Sequence, residues 1–384
     1  MLVIRGAEVF TAAGKTYKKG DVLIDGGKIL EVAENISAAD VEVLNAEGLF
    51  VMPGIVDAHS HVGGFGSTMD DQDLNEMTSN ITPQVEAIYA IDTQSKQFER
   101  IIKAGITTSV ILPGSGNVVG GMACAMKSHG RSISDMCIRN PVALKMALGG
   151  NPKGVYGKAG KAPMTRMAIA QIIRELFINA QEYMKKKETA GDDKDKLPAY
   201  DAGLENAALA LRREIHVKVH CEQFDMMTLL RIAKEFDLDF TLEHAWGASD
   251  YYDEIAESGV RGVVFGPIGV QLTPGECGKV DIESLVELDR RGVCCAIMTD
   301  GPIMNPEMLV FQAGEVMRFG GELERVLNMI TINAAKIIGV DEQIGSLEPG
   351  KDADIVIFKG VPAIDVNAKA LYTIINGTIV HKAV

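Results

Sequence analysis

Between its two ends the chain repeats one texture: short apolar, β-branched runs alternate with longer stretches of helical period. That alternation is the mark of parallel strands joined by crossover helices, and for the bulk of the chain it excludes an all-helical bundle. Eight runs qualify as strands: the one leading into Val56-Asp57, ITTSVIL (106–112), GMACAMK (121–127), VALKMAL (142–148), IHVKVH (215–220), DFTLEH (239–244), RGVVF (261–265) and VCCAIMTD (293–300). Eight such runs, with helical stretches such as TRMAIAQIIRELFINAQEYMKKK among them, predict an α/β fold, a (β/α)8 TIM-like barrel rather than an open doubly wound sheet. A chain of 384 residues holds such a barrel with room for a second, smaller unit.

The two ends supply that unit. From Leu2 to about Leu49 the pattern alternates with period two, with Asp25-Gly26-Gly27 as a hairpin turn, and the same texture returns in KDADIVIFKG and in LYTIINGTIVHKA around Asn376-Gly377. A small β-sandwich domain built from 1–50 plus 346–384 is therefore expected beside a metal-binding barrel over 51–345. The charge run KKKETAGDDKDKLPAY (185–200) reads as a solvated helix end and loop. The stretch GGFGSTMDDQDLNEMTSNITPQ, long, polar and glycine-rich at its root, reads as a movable cover after the first barrel strand.

Charge narrows the classes of partner. Lys and Arg number 38 against 52 Asp and Glu, a net charge of −14, and a field of that sign repels phosphate backbones and anionic lipid headgroups. No apolar stretch has the length of a signal-peptide core or a membrane span, so a cytoplasmic protein is expected. Six cysteines are scattered with no C-x-x-C spacing, which argues for reduced thiols over a disulfide framework or a zinc ribbon. A small-molecule substrate and assembly into a homo-oligomer are the expected associations.

The sharpest local signal is Pro53-Gly54-Ile55-Val56-Asp57-Ala58-His59-Ser60-His61, an apolar strand running into two histidines. Their i, i+2 spacing puts both imidazoles on one face of a strand, and at the C-terminal end of a barrel strand both can share one metal. His220 closes IHVKVH and His244 closes DFTLEH, so a barrel would bring four strand-terminal histidines to one rim. Imidazole suits zinc, iron, nickel and copper, and one or two divalent ions, zinc first, are expected. Asp300 ends the last run; a loop cap is the bland reading, but beside a metal its carboxylate can take a proton from water as general base. Lys145 lies within apolar VALKMAL, where a lone ammonium is costly, so it snorkels to the rim, is paired or neutral, or is converted by carbon dioxide to a carbamate that could bridge two metals.

Other residues carry weaker signals. The segment Pro113–Gly121 is glycine-rich but lacks G-x-G-x-x-G spacing, and reads as a substrate-shaping loop with Asn117 as a polar contact to substrate. His129, in a polar loop, is placed within reach of substrate; His216 shares parity with Lys218 and His220 and reads as a packed polar residue deeper in the barrel; His381 reads as surface.

PGIVDAHSH, GITTSVILPGSGNVVGG, VHCE, LEHA, MTDGP, TINAAKIIG and the closing GSLEPGKDADIVIF together resemble the metal-dependent amidohydrolase superfamily, in the branch of imidazolonepropionase-related and prolidase-like members. The resemblance covers essentially the whole chain. It implies that His59, His61, His220, His244 and Asp300 are metal ligands, and that Lys145, on the fourth strand, takes the place of the carboxylated lysine of binuclear members. Two positions depart from it. Deaminase-like members carry an acid three residues after the strand-five histidine, where this chain has Gln223; Glu222, two residues on, would face away on a continuing strand. Relatives also carry an acid in the phrase that reads GGNPK (149–153) here, where Gly150 can supply neither a ligand nor a proton. The resemblance thus implies cleavage of a C–N bond in an amide, cyclic amide or dipeptide by metal-activated water. A deaminase and a catalytically inactive scaffold of the same fold are the alternatives.

Overall fold

The computed structural model describes residues 1–66, 71–269 and 279–383. Cys277 and residues 67–70 of the expected cover lie outside these. The N-terminal alternation becomes β1 (Leu2–Phe10), β2 (Thr16–Asp25), β3 (Lys28–Ala33), β4 (Glu42–Asn45) and β5 (Phe50–Pro53). The eight apolar runs become β6 (Ile55–Ser60), β7 (Ile106–Ile111), β8 (Val119–Lys127), β9 (Cys137–Ala147), β10 (His216–Cys221), β11 (Phe240–His244), β12 (Gly262–Phe265) and β13 (Cys295–Ile297). Then come β14 (Ile355–Lys359), β15 (Lys369–Ile375) and β16 (Thr378–Lys382).

Both ends of the chain do enter one sheet. Its order is β16-β15-β14-β5-β1-β2-β3 with β4 also on β1, and β14 runs antiparallel to β5 with Ile355 opposite Pro53. This pairing describes a single continuous sheet and does not by itself divide it into the two layers of a sandwich.

Strands β6 to β13 form the second eight-stranded sheet, in sequence order. Its first and last strands meet through a parallel bridge between Ser60 and Gly301, so the sheet is a nearly closed barrel. Most neighbours are parallel, as predicted, but β8 is antiparallel to both β7 and β9: Thr108 faces Lys127, and Met122 faces Leu144. Connection length explains the reversal. A parallel return needs a crossover of about a dozen residues or more, and only residues 112–118 separate β7 from β8. The C-terminal end of β8 therefore lies at the opposite end of the barrel from those of the other strands, and Ser128 N–H there donates to the Thr107 carbonyl at 2.8 Å.

Helices cover the parallel strands. The longest, Arg166–Ala190, starts where the Thr165 side chain accepts the Ala168 N–H and buries Ile169, Ile173, Leu176, Phe177, Ala180 and Tyr183, a stripe of helical period. It ends at Gly191, φ 53°, and the following charged segment is almost wholly exposed, as expected. At the junction of the two sheets a Cβ on Gly54 would come within 2.1 Å of Thr107 Oγ1, so only glycine fits. Near that junction Lys127 Nζ, buried, lies 2.9 Å from Asp352 Oδ2 and also bonds Asp354, tying the end of β8 to the terminal sheet. No helix among the described residues is long and apolar enough to cross a membrane.

Candidate metal centre

The C-terminal ends of β6, β10 and β11, and the turn after β13, bring the predicted residues together. His59 Nε2 and His61 Nε2 lie 3.3 and 3.1 Å from the same oxygen, Asp300 Oδ1. His59, His244 and Asp300 each offer a ligand atom within 4.8 Å of the others'. His220 joins through its ring, centred 4.2 Å from that of His244. Lys145, fully buried on β9 opposite Lys218 of β10, places Nζ 3.5 Å from His59 Nε2.

Three of the four imidazoles are oriented alike. The Nδ1 atoms of His59, His61 and His244 lie 2.6 Å from Glu243 Oε2, 2.8 Å from the Leu112 carbonyl and 2.9 Å from the Gly266 carbonyl, respectively. These oxygens only accept, so each Nδ1 carries the proton and each Nε2 turns a lone pair inward. His244 Nε2 is buried with no partner among the described residues. His220 differs: its Nδ1 is unpartnered, while Nε2 lies 3.5 Å from Asn151 Nδ2 and 3.6 Å from Glu222 Oε1.

Backbone conformation makes this convergence possible. His244 and Asp300 have φ of 68° and 54°, in the left-handed region. Strand alternation would send Glu243 and His244 to opposite faces; the positive φ at the end of β11 lets both serve the barrel interior. At the seam, Asp300 N–H donates to the His59 carbonyl at 3.2 Å and His61 N–H to the Gly301 carbonyl at 2.7 Å.

Charge is arranged around the cluster with few exposed groups. Burial favours the neutral form of Glu243, but the Lys218 ammonium at 2.8 Å and the bond from His59 outweigh it and hold the carboxyl well below the usual carboxylate range. Asp300 is likewise held well below the usual carboxylate range: burial opposes ionisation, and the contacts with His59 and His61 outweigh it. Burial depresses His59 and His244, helped by Lys145 and His220 respectively, which keeps both imidazoles neutral. Lys145 falls to about 8 through burial, with Glu243 and Asp300 partly offsetting it. Asp57, buried beneath the cluster, rises to about 7 for the same reason, although it accepts the His59 N–H and the Thr299 hydroxyl.

Two expected substrate contacts are elsewhere. Asn117 spends its amide inside the protein: Nδ2 donates to the Glu76 carbonyl at 2.6 Å and to Thr82 Oγ1 at 2.7 Å, and Oδ1 accepts from the Tyr156 hydroxyl. It clasps loops together and leaves no atom for a ligand. His129 is exposed beyond the end of β8, and the reversed direction of that strand carries it to the far end of the barrel. Glu222 also departs from expectation, because β10 stops at Cys221 and the chain turns, leaving its carboxylate beside His220 rather than facing away. Gln223 bonds Asp250 instead. His216 is buried near the base of β10 with Nε2 unpartnered, as a packed polar residue. The sequence reading missed Glu243, Lys218 and Asp57; charged residues inside apolar strands were the available signal.

Residues 50–380 match the model of the amidohydrolase family. The chain belongs to that family. Amidohydrolases act on carbon–nitrogen bonds and are generally metal-dependent, and this chain is an enzyme of that class. The solved structure of an amidohydrolase from Thermotoga maritima MSB8 is 36% identical and superposes with a TM-score of 0.96, each chain covered in full. Amidohydrolase tasK of Hapsidospora irregularis is 28% identical over 95% of this chain, which spans 40% of that relative's length. A 5-methylthioadenosine/S-adenosylhomocysteine deaminase of Symbiobacterium thermophilum is 27% identical, over 99% of this chain and 91% of its own. The donors present fit the divalent ion this amidohydrolase fold implies: inward Nε2 lone pairs, an ionised carboxylate between two of them and an orphaned, buried His244 Nε2.

Proposed function

We propose that this amidohydrolase cleaves a C–N bond in an amide, cyclic amide or dipeptide, with Asp300 as general base. The observation that carries the reading is Asp300 Oδ1, placed within 3.3 Å of two histidine Nε2 atoms on the neighbouring strand. His59, His61, His220, His244 and Asp300 would hold one or two divalent ions, zinc first. When bound, such an ion supplies the Lewis acidity that polarises a carbonyl and acidifies water. Asp300, held ionised in the cluster, takes the proton of the attacking water at a carboxylate oxygen and delivers it to the leaving nitrogen. Glu243 fixes the tautomer of His59, while Leu112 and Gly266 carbonyls fix those of His61 and His244. Lys145 is proposed to carry a carboxylate formed when its neutral amine adds to carbon dioxide and loses a proton. The modification replaces a cation 3.5 Å from His59 Nε2 with an anionic ligand.

Asp300→Asn, nearly isosteric but unable to accept the water proton, should fold, keep part of its metal and lose hydrolysis of N-acyl amino acids, dipeptides and cyclic amides. Near wild-type kcat in that variant would assign the base elsewhere. The name of the Symbiobacterium relative favours deamination as the second reading, and release of ammonia without a new carboxylate would establish it. Gln223, turned to Asp250, gives that reading no acid at its usual position.

A further inference from the structure

Two buried polar atoms beside the cluster have no partner among the described residues: Glu222 Oε2, an acceptor, and Trp246 Nε1, a donor. They sit on adjoining turns. Glu222 follows β10 and Trp246 follows β11, each two residues beyond a histidine of the cluster, and in these paired strands Cys221 lies opposite His244. Behind them the turns touch, since a Cβ on Gly247, at φ +81°, would come within 2.5 Å of Gln223 Cβ. Glu222 Oε1 lies 3.6 Å from His220 Nε2, and the Trp246 ring is 5.4 Å from the His244 ring, edge to face.

A carboxylate oxygen and an indole N–H buried without partners both cost free energy. The neighbouring cation, Arg166, is turned to Asp225, with Nε 2.8 Å from Oδ1. An unmatched acceptor and an unmatched donor on touching turns fit a ligand that brings the reverse pair. For the carboxylate, the stronger complement is a cationic donor, and the net charge of −14 draws cations toward the surface.

Resting on the hydrolase reading above, we propose that Glu222 and Trp246 select substrates bearing a free ammonium next to the scissile carbonyl, as the aminoacyl half of a dipeptide does. The ammonium donates to Glu222, and a substrate oxygen accepts from Trp246 Nε1. N-acylation removes the positive charge and leaves Glu222 Oε2 without its donor.

The test compares a panel of dipeptides with their N-acetyl counterparts on the metal-loaded enzyme, by kcat/KM and by calorimetric affinity. The wild type should favour free-amine members by about 10- to 100-fold, the range of a hydrogen bond to a charged group. Glu222→Gln should erase the preference mainly through KM, Glu222→Asp should keep part of it, and elemental analysis should find the wild-type metal content in both. Equal treatment of the pairs by the wild type, failure to bind any free-amine member, or a preference that survives Glu222→Gln overturns the proposal. So does metal loss in Glu222→Gln, which would make Glu222 a ligand. A preference in affinity without turnover would defeat the hydrolase reading and leave this inference standing; hydrolysis of both members at equal rates would do the reverse.

Discussion

Glu243 decides which nitrogen of His59 faces the cluster. Its carboxylate has no proton to give, so His59 Nδ1 must donate across 2.6 Å and Nε2 keeps the lone pair that a metal would take. Glu243→Gln should therefore weaken metal binding by about 10- to 100-fold, the usual cost of removing a carboxylate behind a metal-binding imidazole, as read by chelator competition. The same change strips Lys218 of its counter-ion, and an uncompensated buried charge costs about 3–5 kcal/mol. Pairing Glu243→Gln with Lys218→Met should recover much of the lost stability in urea unfolding but none of the affinity. Recovery of both would mean that Glu243 acts only through packing and charge balance. His59→Ala or His61→Ala should remove most of the bound metal and all turnover, since the two imidazoles converge on one Asp300 oxygen.

Among elements, β8 is where packing and pattern part company. Its apolar run announced a strand because hydrophobic residues in the barrel wall are buried whichever way the strand points. Direction lives in the connections, and the short segment 112–118 held that information. The place expected for His129 failed for this reason, whereas the convergence of His59, His61, His220, His244, Lys145 and Asp300 on one rim was legible because their strands run in parallel. Glu222 and His244 show the second limit of pattern reading: alternation ceases where β10 stops, and reverses where φ turns positive. The two-ended sheet was legible from its turns, although its continuous pairing was not. The end of β8 carries its own test. Lys127 lies between Asp352 and Asp354, all three buried; Asp352 also pairs with Lys28 at 2.7 Å, so Lys127→Met should cost about 3–5 kcal/mol by leaving the buried Asp354 carboxylate without a counter-ion. The check is the urea midpoint, with an unchanged midpoint showing that the Lys127 pairs do not help hold the two sheets together.

At the scale of the whole molecule the barrel has one weak seam. Strands β6 and β13 share no ladder; Ser60–Gly301, the backbone bonds around Asp300 and the Asp57–Thr299 contacts span the gap. The candidate ligands stand on both sides of it, His59 and His61 on one and Asp300 on the other. A metal bound there should act as a staple, contributing about 4 kcal/mol when free ion exceeds Kd a thousandfold. Chelation should lower the Tm and release amide protection at 55–61 and 295–301 before it does so in β9 to β11; uniform loss of protection would mean that the ion does not close the ring. The reversed β8 has a practical corollary. It puts the turn at 129–132, which is mostly exposed, on the side of the barrel away from the chemistry, whereas the turn at 112–118 stands at the rim. A reporter peptide or a surface tether spliced in at 129–132 should be carried without slowing turnover, so the enzyme offers a handle for immobilisation that leaves its mouth facing the solution.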